Sequence, residues 1–197
     1  MAQNRPPIHV AVLGATGAVG QRFVQLLQGH PWFRIAELVA SDRSAGQRYG
    51  EAVRWVLPGN PPTDLAERVV LPLDADVQSP LVFSALPADI AQTIEWRLAE
   101  TGHVVCSNAS AYRMHEHVPI LLPEINAPHA ALVRVQRQKY GWGTGGLVTN
   151  SNCTSAPVAM AFAPLRRFGI AAAQLTSLQA VSGGGYPGVP SLDILDN

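Results

Sequence analysis

Two short segments carry side chains at spacings suited to chemistry. The first, Asn150-Ser151-Asn152-Cys153-Thr154-Ser155, joins an apolar run to a stretch with helical periodicity. Asn152 is a residue type that caps helix N-termini, which puts Cys153 in the first turn. Free backbone N–H groups and the helix dipole there favour thiolate over thiol, and the same groups suit the oxyanion of a tetrahedral intermediate. On position alone the alternative is an inert buried cysteine, the reading given to Cys106. The second segment is Gly14-Ala15-Thr16-Gly17-Ala18-Val19-Gly20. It follows an apolar run and opens an amphipathic one, the context in which glycines bring backbone N–H groups and a helix N-terminus up to a pyrophosphate. The spacing is GxxGxxG rather than GxGxxG, and a tight turn with packing glycines is the alternative.

About twenty residues beyond the last of these glycines, the ribose 2′ position of a dinucleotide meets the end of the second strand. Ser41-Asp42-Arg43-Ser44 stand there. Asp42 suits a free 2′-hydroxyl, as in NAD; Arg43 flanked by Ser41 and Ser44 suits a 2′-phosphate, as in NADP. NADP is the expectation, with Asp42 turned away from the ribose. A thiol beside a nicotinamide points to oxidation or reduction at the aldehyde level.

The elements that would position these residues alternate in period. Residues 8–13, 34–41, 81–85, 103–107 and 146–149 read as strands. Val19, Phe23, Leu26 and Leu27 fall on one helical face, and Ile90, Ile94 and Leu98 on another between Pro87 and Gly102. Residues 153–168 read as a helix with Val158, Phe162, Leu165 and Phe168 on one face, and 175–181 as a further strand. Such alternation implies a Rossmann-like α/β fold, a doubly wound parallel sheet with helices on both faces. Residues 46–77 follow neither period and read as an irregular excursion, with a turn at 58–62. Residues 1–150 are expected to form the nucleotide-binding domain and 151–197 the beginning of an α+β catalytic and dimerisation domain.

Composition narrows the class. Fourteen acidic residues balance 14 basic ones in 197, and charged types reach only 14%, against about 25% in ordinary soluble proteins. With 47% hydrophobic residues, this argues against disorder and against a basic nucleic-acid binder. Residues 140–165 and 168–192 are free of charge yet interrupted throughout by Gly, Asn, Ser, Thr, Gln and Pro, the composition of a buried site or interface rather than of a membrane span. Two cysteines and no signal-peptide pattern fit a reducing, cytoplasmic setting, and no metal is expected.

Several motifs occur together in order. These are the glycine loop, residues 41–46, Ser84-Ala85-Leu86-Pro87, residues 107–114, Leu122-Pro123-Glu124-Ile125-Asn126, Asn152-Cys153-Thr154, and residues 179–188 with Gln179 and Gly183-Gly184-Gly185. As a set they resemble the aspartate-β-semialdehyde dehydrogenase family in its archaeal and fungal-type branch, over nearly the whole chain. That resemblance implies NADP-dependent reductive dephosphorylation of β-aspartyl phosphate, serving lysine, threonine and methionine biosynthesis. It implies Cys153 as nucleophile, Gln179 as the residue that orients the acyl-enzyme, and Arg113, Asn108 and Asn152 as substrate-site residues. Ser84, Leu86, Ser182 and Gly183 are implied to border the cofactor. Malonyl-CoA reductase resembles the same branch and uses the same thioester logic, and a truncated nucleotide-binding module without catalysis is the alternative of another class. The resemblance further implies a longer chain that supplies a histidine general base and a carboxylate-binding arginine, and that assembles as a homodimer or homotetramer. The 197-residue chain alone is expected to be nearly inactive and poorly soluble. His115 and His117, near Arg113, read as solvated loop residues.

Overall fold

Side-chain alternation along β1 (Ile8–Leu13) sets the architecture of the computed structural model, which describes residues 6–178. Val10 and Val12 enter one apolar layer, while Ala11 and Leu13 enter the other. A strand buried on both faces belongs inside a parallel sheet. β1 pairs in parallel with β2 (Phe33–Val39) on one side and β3 (Leu81–Ser84) on the other. β4 (Val104–Ser107), β6 (Gly146–Asn150) and β5 (Ile120–Leu121) continue the sheet, all parallel, in the order β2-β1-β3-β4-β6-β5. The chain runs from β1 outward to β2 and then back across to β3. The carboxyl ends of β1 and β3 therefore flank the switch point at which open α/β sheets bind ligands.

Helices cover both faces, as the alternation implies. On the Val10 and Val12 side lies α1 (Ala18–Leu26), with Val24 and, just past its end, Leu27 in the core. Beside it pack α2 (Tyr49–Ala52) and α3 (Thr63–Ala66), through Tyr49 and Leu65. On the other side α4 (Ala88–Glu100) buries Ala91, Leu98 and Ala99 against Val82 and Val105. After β5 come α5 (Pro123–Asn126), a 3-10 turn (Ala127–Ala131) and α6 (Leu132–Tyr140). The buried Gln136 amide ties α6 to β6, donating to Leu147 O at 2.7 Å and accepting from Leu147 N–H at 2.8 Å. Lys139, in the last turn of α6, and Gly141 at φ 70° beyond it form an ordinary helix ending.

The helical faces differ from the sequence expectation. In α1 the buried residues are Gly20, Gln21 and Val24, with Val19 and Leu26 exposed and Phe23 only partly covered. The cause is a backbone contact. A Cβ on Gly20 would stand 2.0 Å from Gly14 O, so the helix is rotated to bring Gly20 against the loop. In α4 the face turns similarly, to Ala91, Glu95, Leu98 and Ala99, leaving Ile90 exposed.

The strand expected over 34–41 ends at Val39, because Ala40 N–H donates to Leu71 O at 3.0 Å and draws the chain toward the excursion. The expected helix over 153–168 divides into α7 (Ser155–Phe162) and a 3-10 segment (Ala163–Phe168). Neither buries any residue; Leu165 and Phe168 stand exposed. Residues 175–178 form no strand and Leu178 is 99% exposed, while 179–181 lie outside the described residues.

The Gly20 contact gives a direct test. Gly20→Ala is expected to destabilise the fold by about 1–3 kcal/mol in urea unfolding, the usual range for overpacking. A Cβ on Gly17 would meet Gly14 O at 3.4 Å, an ordinary contact, so Gly17→Ala is expected to change stability by less than about 1 kcal/mol.

Candidate active site

Every segment singled out for chemistry within the described residues leaves the carboxyl edge of the sheet. Gly14 ends β1 at φ 71°, where a Cβ would meet Ala85 O at 2.7 Å. Only glycine lets the β1 turn lie so close to the turn that follows β3. Gly17 N–H closes the loop onto Gly14 O at 3.0 Å, and Gly17 caps α1 in extended conformation without a side-chain bond. The N–H groups of Thr16, Ala18 and Val19 have no acceptor among the described residues. Three free donors at a helix N-terminus suit a pyrophosphate.

Beyond β2, Ser41, Asp42 and Arg43 are exposed and Ser44 is nearly buried, with Ser44 N–H donating to Ser41 O at 2.8 Å. The Asp42 and Arg43 side chains have no partner among the described residues, so the turn offers both an acid and a base to a ribose. After β3, Leu86 is buried against Gly14. Ser84, expected to border the cofactor, has no exposure: strand alternation sends it with Val82 to the α4 face. Its side chain does not line the groove.

The ends of β4 and β6 are stitched together by Arg113. Its Nε donates to Asn150 O at 3.0 Å and its Nη2 to Asn108 O at 2.9 Å. Asn150 Nδ2 donates to Asn108 Oδ1 at 3.3 Å. Asn108 and Arg113 are thus brought together, and Asn150 joins them, signalled in the sequence only by its place at the head of the cysteine segment. The guanidinium keeps further N–H groups for an anion.

Asn152 caps as its type implies. Its Oδ1 accepts from Thr154 N–H at 2.8 Å and Ser155 N–H at 3.2 Å, while its carbonyl accepts from Ala156 N–H at 3.0 Å. Regular helix begins only at Ser155, so Cys153 sits in the turn between the capping side chain and α7 rather than within the helix. Its thiol is exposed. Cys106, by contrast, is half-buried in β4, and desolvation pushes its thiol up to about 11, which keeps it protonated near neutrality. Three strand spacings separate β6 from β1, on the order of 14 Å. Gln179, Ser182 and Gly183 lie outside the described residues.

Beneath this edge lies a residue that the sequence does not announce. Glu95 is fully buried on α4 and accepts from Ser107 Oγ at 2.7 Å, and Ser107 Oγ accepts from Ala109 N–H at 3.0 Å. Burial pushes its carboxyl above the usual range; the Ser84 and Ser107 hydroxyls oppose that, though only Ser107 is well bonded, since Ser84 Oγ and Glu95 Oε2 make no hydrogen bond. Tyr112 is pushed up by its own burial and by the Glu95 charge. His115 and His117 are not fully solvated: both are half-buried, His115 among Trp96, Tyr112 and Tyr140 and His117 against Tyr140, and Lys139 Nζ approaches His117 Nε2 to 2.5 Å.

The model of the semialdehyde dehydrogenase NAD-binding domain matches residues 9–133. Aspartate-semialdehyde dehydrogenase of Archaeoglobus fulgidus is 49% identical over 189 residues, 95% of this chain and 55% of that protein. The chain belongs to the aspartate-semialdehyde dehydrogenase family. Among solved structures of that enzyme, the crystal structure with NADP from Candida albicans matches with a TM-score of 0.79 at 36% identity, over 98% of this chain and 55% of that one. Malonyl CoA reductase (NADP) of Metallosphaera sedula is 37% identical over 98% of this chain and 54% of its own length. The chain spans about half the length of the curated relatives it matches.

Glu95 yields a pH test. Its raised folded-state value means that folding favours the protonated acid; that contribution is complete below the ordinary carboxylate range and is lost as pH rises through the folded value. Urea unfolding is expected to show Glu95→Gln gaining stability relative to wild type as pH increases from about 4 to 8. A difference that is flat or falls with pH would mean that burial does not raise the carboxyl.

Proposed function

We propose that the protein to which this chain belongs catalyses NADP-dependent reductive dephosphorylation of β-aspartyl phosphate to aspartate semialdehyde through a thioester on Cys153. The observation that carries the reading is the sharing of one sheet edge by an exposed, Asn152-capped Cys153, the Arg113–Asn108–Asn150 cluster and the glycine cradle. The names of relatives, aspartate-semialdehyde dehydrogenase and the NADP-bound Candida albicans enzyme, support substrate and cofactor.

Arg113 holds the substrate phosphate with the N–H groups not given to carbonyls, beside Asn108 and Asn152. The Cys153 thiolate attacks the acyl carbon, the C–O bond to phosphate breaks, and phosphate leaves with the electron pair. Backbone N–H groups at the start of α7 support the oxyanion of each tetrahedral stage. When bound, the nicotinamide supplies the hydride that reduces the thioester. Collapse of the resulting hemithioacetal returns the Cys153 thiolate and frees the aldehyde, and Gln179 orients the acyl group. Gly14, Thr16, Gly17, Ala18, Val19 and Gly20 cradle the pyrophosphate; Ser41, Arg43 and Ser44 take the 2′-phosphate; Leu86, Ser182 and Gly183 border the cofactor, Ser84 through its backbone alone. Residues 1–150 act as the nucleotide domain and 151–197 begin the catalytic one, in a cytoplasmic homodimer or homotetramer.

In the full-length protein, Cys153→Ser is expected to lower turnover at least about a thousandfold while leaving the NADPH Kd within about twofold. Unchanged turnover would remove Cys153 from the mechanism. Wild-type activity with phosphate but not with CoA as acyl acceptor separates this reading from a malonyl-CoA reductase. Arg43→Ala is expected to raise the NADP Kd by roughly tenfold or more and leave that for NAD within about threefold; equal effects on both would assign the 2′ position elsewhere.

A further inference from the structure

We propose that Gln21 and Tyr49 are positioning residues that hold the carbonyls of the glycine loop inward, so that its N–H groups alone face the anion; the inference rests on the nucleotide reading above. A loop peptide presents either its N–H or its carbonyl to a ligand, and a carbonyl aimed at a phosphate repels it. In this loop three consecutive carbonyls are all taken from inside. Gly14 O accepts from Gly17 N–H at 3.0 Å, Ala15 O from Tyr49 Oη at 3.0 Å, and Thr16 O from Gln21 Nε2 at 2.9 Å. The N–H groups of Thr16, Ala18 and Val19 are among those left over.

Both braces are buried and fully used. Tyr49 has no exposure; a phenol is protonated near neutrality and burial pushes its hydroxyl further up, so it is a donor. Gln21, 1% exposed, also donates to Arg54 O at 3.0 Å and accepts from Val56 N–H at 2.8 Å. Its amide therefore couples the loop to residues 54–56, and Tyr49 couples it to α2. The excursion over 46–77, which follows no period in the sequence, is in this light the outer wall that keeps the cradle in its anion-accepting form. A neutral glutamine and a neutral phenol suit that role, since neither places a charge beside the phosphates.

The test compares Tyr49→Phe and Gln21→Met with Gln136→Met. Gln136 is an equally buried glutamine that bonds His117 O and both backbone groups of Leu147, remote from the loop. NADPH binding is titrated by fluorescence in the full-length protein, with thermal unfolding of each variant alongside. The expected result is a Kd raised roughly three- to tenfold by Tyr49→Phe and more by Gln21→Met, with Gln136→Met unchanged within twofold despite a comparable loss of Tm. Kd values within twofold for both loop variants, or an equal weakening by Gln136→Met, would overturn the brace. If the wild type fails to bind NADPH, the nucleotide reading itself falls. The brace is then decided by amide hydrogen exchange of residues 14–19 without nucleotide, where faster exchange in the two loop variants but not in Gln136→Met upholds it and equal exchange in all refutes it.

Discussion

Two backbone contacts around Gly14 govern the rest of the structure. Gly20 closes on Gly14 O, and Gly14 closes on Ala85 O, with no room for a Cβ at either place. The first contact fixes the rotation of α1 and hence which of its residues reach the core. The second draws the turns after β1 and β3 together at the switch point of the sheet. With every strand pairing parallel, each further strand ends on that same edge, so the cysteine turn after β6 and the asparagine turn after β4 share the edge of the sheet that carries the cradle.

Electrostatics then divides the work among residues of similar type. Of two cysteines, one is half-buried in a strand and kept protonated by desolvation, while the other is exposed in a capped turn. Of the acids near this edge, Glu95 lies buried beneath β3 and β4 and anchors the Asn108 turn through Ser107, whereas Asp42 stays at the surface beside Arg43. Arg113 divides its donors, two to the carbonyls that end β4 and β6 and the remainder to solvent or an anion. It thereby joins the strand ends.

Much of this was legible in the sequence. The strands near residues 8–13, 81–85, 103–107 and 146–149 announce themselves as apolar runs, because a strand buried on both faces needs no alternation. The glycine loop and the capped cysteine carry local signals of their own. What escaped has a common cause: it depends on distant partners. The faces of α1 and α4 depart from the apolar count because a glycine contact and a buried glutamate outweigh it. Glu95 and Gln21 look like surface residues until their partners appear, and Tyr49 gives no sign of the carbonyl it holds. β5 has only two residues, too few for any pattern, and α6 is too polar for an apolar stripe. α7 carries its expected apolar pattern, yet none of its residues is buried.

The central claim is that the Cys153 sulfur becomes covalently joined to the reacting carbonyl. Mass spectrometry of the full-length protein after incubation with aspartate semialdehyde and NADP, in the absence of phosphate, tests it most directly. The expected result is an aspartyl adduct on the peptide that contains Cys153, lost when phosphate is added. An adduct on Cys106, or turnover with no acyl-enzyme on either cysteine, would contradict it.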